Sequence, residues 1–155
     1  MMPCFYDNGL QFSCTRCSAC CRFSSGYVFL SKNDILRASA HLGIKEEEFL
    51  VQYCRQVDLG HDIRVSLTEK ENFDCIFWSE EQDGCSIYAA RPLQCQSYPF
   101  WPQLLNEKAW QAEKSHCPGI GGGKVYTKED IDKIQELRHL DPLISLKNIH
   151  QDKNP

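Results

Sequence analysis

Long apolar runs are missing from this 155-residue chain. No stretch approaches the roughly 20 apolar residues that a bilayer-spanning helix needs, so no membrane segment is expected. Excess positive charge is missing too. Lysine and arginine total 17 against 21 aspartate and glutamate, and the net charge is −4 with a pI of about 5.7. Because the two signs are interspersed, the basic stripe of a nucleic-acid binder is absent and no nucleic-acid partner is indicated. The opening Met1-Met2-Pro3-Cys4-Phe5-Tyr6-Asp7 lacks the charged start and apolar run of a secretory signal. The expected setting is therefore cytoplasmic.

Cysteine, by contrast, is abundant: ten thiols in a chain with no export signal. A reducing compartment does not pair them reliably, and a small secreted disulfide scaffold is usually shorter and denser in cysteine. Metal ligation accounts for them better. Four lie within eight residues, Cys14-Thr15-Arg16-Cys17-Ser18-Ala19-Cys20-Cys21. A CxxC turn brings two sulfurs to one side of the backbone, and a third at the same interval converges on the same small volume. Cys21, next to Cys20, must send its side chain elsewhere. Thiolates are soft ligands that select zinc, copper(I) or iron–sulfur clusters over magnesium or calcium.

Beyond the cluster, Cys75, Cys85, Cys95 and Cys117 are the remaining candidate ligands, and none of them forms a second CxxC. A simple zinc ribbon uses two such pairs, so their absence counts against it. Three cysteines at intervals of three, completed by a distant Cys-Pro, have the logic of iron–sulfur ligation of the 4Fe–4S kind. Cys14, Cys17, Cys20 and Cys117 fit that logic; Cys21, Cys75, Cys85 and Cys95 form a second set, able to hold zinc or to complete a shared centre. Eight thiolates cannot be buried without metal at tolerable cost, so folding and metal binding are expected to be coupled. Arg16, Arg22 and Arg91 flank these positions as candidate donors to sulfur. Cys54 reads as a core cysteine and Cys4 as an ordinary thiol. The five histidines, His41, His61, His116, His139 and His150, are dispersed, and only His116 adjoins a candidate ligand.

The patterning predicts an α+β fold: a small single domain over 1–155, with short helices packed around an antiparallel β-meander and a cysteine-ligated metal centre. Tyr27–Leu30 reads as a strand. Ser31 and Asp34 form a capping box for a helix that buries Ile35, Leu36, Ala38, Ala40 and Leu42 and stops at Gly43. A second helix over about Lys45–Arg55 turns Phe49, Leu50 and Tyr53 inward. Ile63–Leu67 alternates as a half-buried strand, Phe73–Trp78 reads as the next, and Asp83-Gly84 as the turn back. Pro92 opens a short helix carrying Cys95. Eight of the 17 aromatic residues fall between Phe73 and Trp110, as core or as a wall that keeps water from a cluster. Gly121-Gly122-Gly123-Lys124 has the wrong spacing for a phosphate loop. Thr127 starts a last helix with Ile131, Ile134, Leu137 and Leu140 on one face; Leu143, Leu146 and Ile149 add to the core after it.

The order of these motifs resembles a known family. The Cys14–Cys21 cluster, Cys75-Ile76-Phe77, the run Gly84-Cys85-Ser86-Ile87-Tyr88-Ala89-Ala90-Arg91-Pro92-Leu93-Gln94-Cys95-Gln96-Ser97-Tyr98-Pro99, and Cys117-Pro118-Gly119 resemble the CxxCxxCC, or YkgJ-like, cysteine-cluster family. The likeness covers about residues 12–123, leaving 124–155 as a helical extension. It implies a zinc- or iron-chelating domain whose metal partner is an ion or cluster, without assigning a reaction. Gln96 stands where the family often has arginine. A related module in flagellin lysine N-methylases is associated with an iron–sulfur cluster. That similarity implies, as alternatives to a redox or accessory module, an enzyme or enzyme subunit of protein modification; a metal store or chaperone and an unidentified protein partner also remain open.

Overall fold

The computed structural model describes residues 3–22 and 25–146. In chain order these form β1 (Leu10–Phe12), α1 (Lys32–Leu42), α2 (Glu46–Tyr53), β2 (Cys54–Asp58), β3 (Ile63–Leu67), β4 (Trp78–Ser79), β5 (Gly84–Cys85), α3 (Leu93–Ser97), α4 (Glu107–Glu113), β6 (Ile120–Tyr126) and α5 (Lys128–Leu140). The class is mixed α+β. The strands do not join into one meander: β1 pairs with β6, β2 with β3 and β4 with β5, each antiparallel and each a separate two-stranded sheet. The chain divides into two compact units, each built from two stretches: Met1–Cys20 with Ser97–Leu140, and Cys21–Gln96 with Asp141–Pro155.

The first unit is organised by aromatic packing. Phe12, Phe100, Trp110, Cys117, Ile120 and Ile131 are its buried core. Phe100 meets Trp110 at 5.7 Å and Tyr126 at 4.7 Å between ring centroids, while Phe12 stands edge-on to Phe100 at 5.9 Å. The α4 helix, unforeseen in the sequence, supplies Trp110; it starts where the Asn106 side chain accepts the Ala109 N–H at 2.9 Å. The α5 helix begins at Thr127, whose hydroxyl accepts the Asp130 N–H while the Asp130 carboxylate accepts the Thr127 N–H. Ile131 is fully buried and Ile134 partly so, but Leu137 and Leu140 are exposed, because the helix runs past the core that its first two turns cover.

In the second unit, Leu30, Ile35, Ala38, Phe49, Val65, Leu67, Phe77 and Ile87 form the core. The expected capping box opens α1: Ser31 Oγ accepts the Asp34 N–H at 3.0 Å, Asp34 accepts the Ser31 N–H at 2.9 Å, and Gly43 closes the helix at φ 70°. Ile35 and Ala38 are buried, but Leu36 and Ala40 are exposed and polar Asp34 and Ser39 take the inward places. One helical face runs through 35, 38, 39 and 42, and 36 and 40 lie off it. Asp34 accommodates its burial by accepting the Leu93 N–H at 3.0 Å and pairing with Arg37 at 2.7 Å, which fixes the start of α3.

Three further expectations are corrected in this unit. The second helix stops at Tyr53, and Cys54 opens β2, which pairs with β3 in register from Cys54↔Leu67 to Asp58↔Ile63; Leu50 is exposed. Tyr27–Leu30 is an extended segment beside β3 that makes a single bridge, Phe29↔Ser66, so Ser66 is buried where alternation exposes it. Phe73–Phe77 is turn and bend interrupted by one bridge, Glu69↔Cys75, with Phe73 exposed at φ 72°, and the strand itself is Trp78–Ser79, paired with Gly84–Cys85 across the Asp83 turn. After α5, Ile144 and Leu146 pack on this core, the Ile144 N–H donating to Leu30 at 3.0 Å. Ile149 and His150 lie outside the described residues.

Candidate metal centre

The eight candidate ligands divide between the two units. Cys14, Cys17, Cys20 and Cys117 belong to the first; Cys21, Cys75, Cys85 and Cys95 belong to the second. The unit boundary falls between the adjacent Cys20 and Cys21.

In the first unit the cluster loop is anchored at its start. The Ser13 N–H donates to the Gly119 carbonyl at 3.1 Å, and Ser13 Oγ accepts the Lys124 N–H at 2.9 Å. This fit needs glycine at two points of the Gly-rich strand. A Cβ on Gly119 would overlap the Ser13 carbonyl oxygen, and one on Gly123, where φ is 77°, would overlap the Ser13 side chain. Gly119 and Gly123, the latter the last of the glycines that imitate a phosphate loop, therefore hold the residue before Cys14. From there the backbone turns left-handed at Arg16 (φ 56°) and Ser18 (φ 66°), and the Arg16 N–H points at Cys14 Sγ at 3.4 Å. Hydrogen bonds from backbone N–H to sulfur are how a surrounding shell carries part of a bound thiolate's charge.

Cys117 is the buried member, within the aromatic core, whereas Cys14, Cys17 and Cys20 are exposed. Burial pushes its thiol up; hydrogen bonds from the Gly119 N–H, the Tyr98 hydroxyl and the Ile120 N–H work against that, and a thiolate at Cys17 adds to the rise. Cys-Pro-Gly thus builds a sulfur cradle, its donors following Cys117 directly in the chain. The Tyr98 hydroxyl also donates to Glu113 Oε1 at 2.6 Å, so its one proton serves one of two acceptors at a time. Burial, and then the Glu113 bond, hold the phenol well above its ordinary range. The Tyr98-Pro99 pair stands out in the sequence only as part of the family resemblance, with no role at sulfur assigned to the tyrosine.

In the second unit, the Cys75 N–H donates to the Cys21 carbonyl at 2.7 Å, which joins the end of the cluster to the start of the hairpin. Trp78 lies between two cysteines: its backbone N–H donates to the Cys75 carbonyl at 2.9 Å, and it faces Cys85 across β4 and β5. Arg22 reaches the same place, 3.3 Å from Asp74 Oδ1 and with its guanidinium 3.7 Å from the Trp78 ring centroid. Cys95 sits in α3, its N–H donating to the Pro92 carbonyl at 3.0 Å. Arg91 shapes the connection from Cys85 by donating to the Tyr88 carbonyl at 3.0 Å and stacking on that ring at 3.9 Å. Gln96 donates to the Arg91 carbonyl at 2.7 Å and so braces this turn.

Among the described residues no three Cys, His, Asp or Glu side chains converge on one point. Pairs are brought near, Cys17 to Cys117 and Cys21 to Cys75; closing four thiolates together against their mutual repulsion is the step that a cation's charge drives. The donor sets fit a soft metal, since four of the five thiols in each unit are candidate ligands with N–H, hydroxyl or guanidinium groups at or beside them. Cys54 packs on the second core, where burial pushes its thiol up to about 12, and Cys4 is exposed. His41, His61, His116 and His139 are all exposed. An open cavity of about 470 Å³, lined in part by Lys70, Asp74, Trp78 and Ser86, has no cysteine in its wall. No described helix is long and apolar enough to cross a membrane.

Comparison with known proteins agrees with the chemistry. A protein of Methanocaldococcus jannaschii, itself uncharacterised, is 29% identical over 140 residues, covering 85% of this chain and 70% of that one. No solved structure matches. The model of the CxxCxxCC family, described as a "putative zinc- or iron-chelating domain", matches residues 13–118, which contain all eight candidate ligands. The chain belongs to the CxxCxxCC family.

Proposed function

We propose that this protein binds metal at two thiolate sites and acts as a redox or accessory module. Cys14, Cys17, Cys20 and Cys117 hold an iron–sulfur cluster; Cys21, Cys75, Cys85 and Cys95 hold one divalent ion, zinc by preference. The observation that carries this reading is the division of the eight candidate ligands, four to each compact unit. It coincides with the grouping that their spacing in the sequence suggests.

The two sets differ in kind. In the first, three exposed thiols lie on a loop and the fourth, Cys117, is buried in an aromatic wall with Cys17 within electrostatic reach of it, and hydrogen bonds to sulfur and exclusion of water are the levers that tune a cluster's potential. Such a cluster supplies one-electron transfer when bound. In the second, Cys85 sits on a hairpin and Cys95 on a helix, and Cys75 lies just before the hairpin, tied by its N–H to the Cys21 carbonyl. This is a spread over ordered backbone as in closed structural sites, and the neighbouring cavity contains no sulfur at which a substrate would meet the ion. That favours a folding role for the second site over catalysis there.

The test is metal and acid-labile sulfide content, with a visible spectrum, on protein purified without oxygen and without added metal. Brown protein with iron, equivalent sulfide and about one zinc per chain is the expected result. Colourless protein with zinc and no sulfide would replace the cluster by a second zinc. Protein that is folded and holds neither metal would overturn the reading.

A further inference from the structure

Trp78 is 5% exposed, and its indole N–H is buried without a hydrogen-bond partner among the described residues. A buried donor left unpaired is costly, and buried tryptophans ordinarily find an acceptor for this group. Its surroundings point to where one arises. Trp78 is linked by backbone bonding to Cys75 and opposes Cys85 across the hairpin. Arg22, the residue after Cys21, lies over its ring and pairs with Asp74, the residue before Cys75. One side-chain stack thus ties together the neighbours of three of the four thiols in the second set.

We propose that Trp78 and Arg22 are the positioning residues of the second site: the Trp78 indole N–H donates to a thiolate sulfur once the ion is bound, and Arg22, held by Asp74, offsets the surplus negative charge of four thiolates around a divalent cation. This inference rests on the second site proposed above. It explains why a buried tryptophan keeps an orphaned donor where phenylalanine would fill similar space without that penalty. It also gives Arg22 a role that its exposure alone would not, since a guanidinium stacked on an aromatic face and paired with a carboxylate is held in place.

Cadmium-113 is a suitable probe because it is soft and its nuclear spin reports thiolate ligation. The full chain is labelled with nitrogen-15 on its tryptophans and loaded with cadmium-113, and the three indole signals are followed, Trp78→Phe assigning the relevant one. The expected result is a downfield shift of the Trp78 indole proton with coupling to the cadmium that Cys95→Ser removes. Chelator competition should show about tenfold weaker binding at that site in Trp78→Phe. Cadmium filling the site while the indole signal stays put, with Trp78→Phe binding as tightly as the parent, overturns the inference and leaves the two-site reading standing. Failure of the Cys21, Cys75, Cys85 and Cys95 set to take cadmium at all overturns both. The indole measurement is made on the unmutated protein, so it decides the matter even if Trp78→Phe folds poorly.

Discussion

Replacing Gly119 by alanine tests whether the glycines after Cys117 exist to seat the cluster loop. The new Cβ would overlap the Ser13 carbonyl oxygen and come within 3.3 Å of the Phe12 ring, and neither is the free end of a flexible chain. Backbone must therefore move. Overpacking of this kind costs about 1–3 kcal/mol, and losing the 3.1 Å hydrogen bond from the Ser13 N–H to Gly119 adds about 1 kcal/mol. The expected total is about 2–4 kcal/mol, or a fall in Tm of about 5–15 °C for a chain of this size. Gly122→Ala is the matched control, because a Cβ there meets nothing within 4 Å; its cost should stay within about 0.5 kcal/mol. Thermal unfolding of the two variants and the parent as purified, compared at equal metal content of the second set, reads the stability term. Metal analysis reads the functional one: Gly119→Ala should lose metal from Cys14, Cys17, Cys20 and Cys117 and keep it at the other set. If Gly119→Ala melts with Gly122→Ala and retains full metal, the seating argument is wrong.

Cys17→Ser should remove most metal from the first set, whereas Cys54→Ser should leave metal content nearly unchanged; equal loss from both would erase the distinction between ligand and core cysteine. Burial raises the Cys54 thiol from its ordinary 9.0 to about 12. The folded state keeps this proton while the unfolded chain gives it up, so its contribution to stability is complete below pH 9 and is lost as pH rises toward 12. Stability at fixed metal content should therefore fall over that window, and Cys54→Ala should flatten the slope; parallel slopes would count against the assignment. Ser31→Ala removes the cap of α1 and the 2.8 Å hydrogen bond to Asp141, and should cost about 1–3 kcal/mol in denaturant unfolding with metal content intact. A loss below about 0.5 kcal/mol would mean that the capping box contributes little.

What the sequence by itself determined is local or chemical. Ser31 and Asp34 are three residues apart and make their box without help, Gly43 is the residue that tolerates a left-handed C-cap, and Thr127 and Asp130 repeat the logic for α5. The chemistry of eight thiols is likewise independent of the fold, which is why metal binding was legible before any contact was known. Where alternation or helical spacing was followed beyond its neighbours, it failed for a tertiary reason. Ser66 is buried because an extended segment crosses its outer face, and Leu137 is exposed because no core lies opposite it.

Only the tertiary structure decided how distant stretches combine. The pairing of β1 with β6 brings Ser13 against Gly119 and Gly123, and nothing within either stretch encodes that fit. The sulfur cradle at Cys117 needs Tyr98 from a separate segment, and the stack of Arg22 on Trp78 joins residues more than fifty positions apart. The division of adjacent Cys20 and Cys21 between two units follows the same principle. Neighbours in sequence share a backbone direction, but which core each packs against depends on the summed burial of residues far along the chain, which no local pattern carries.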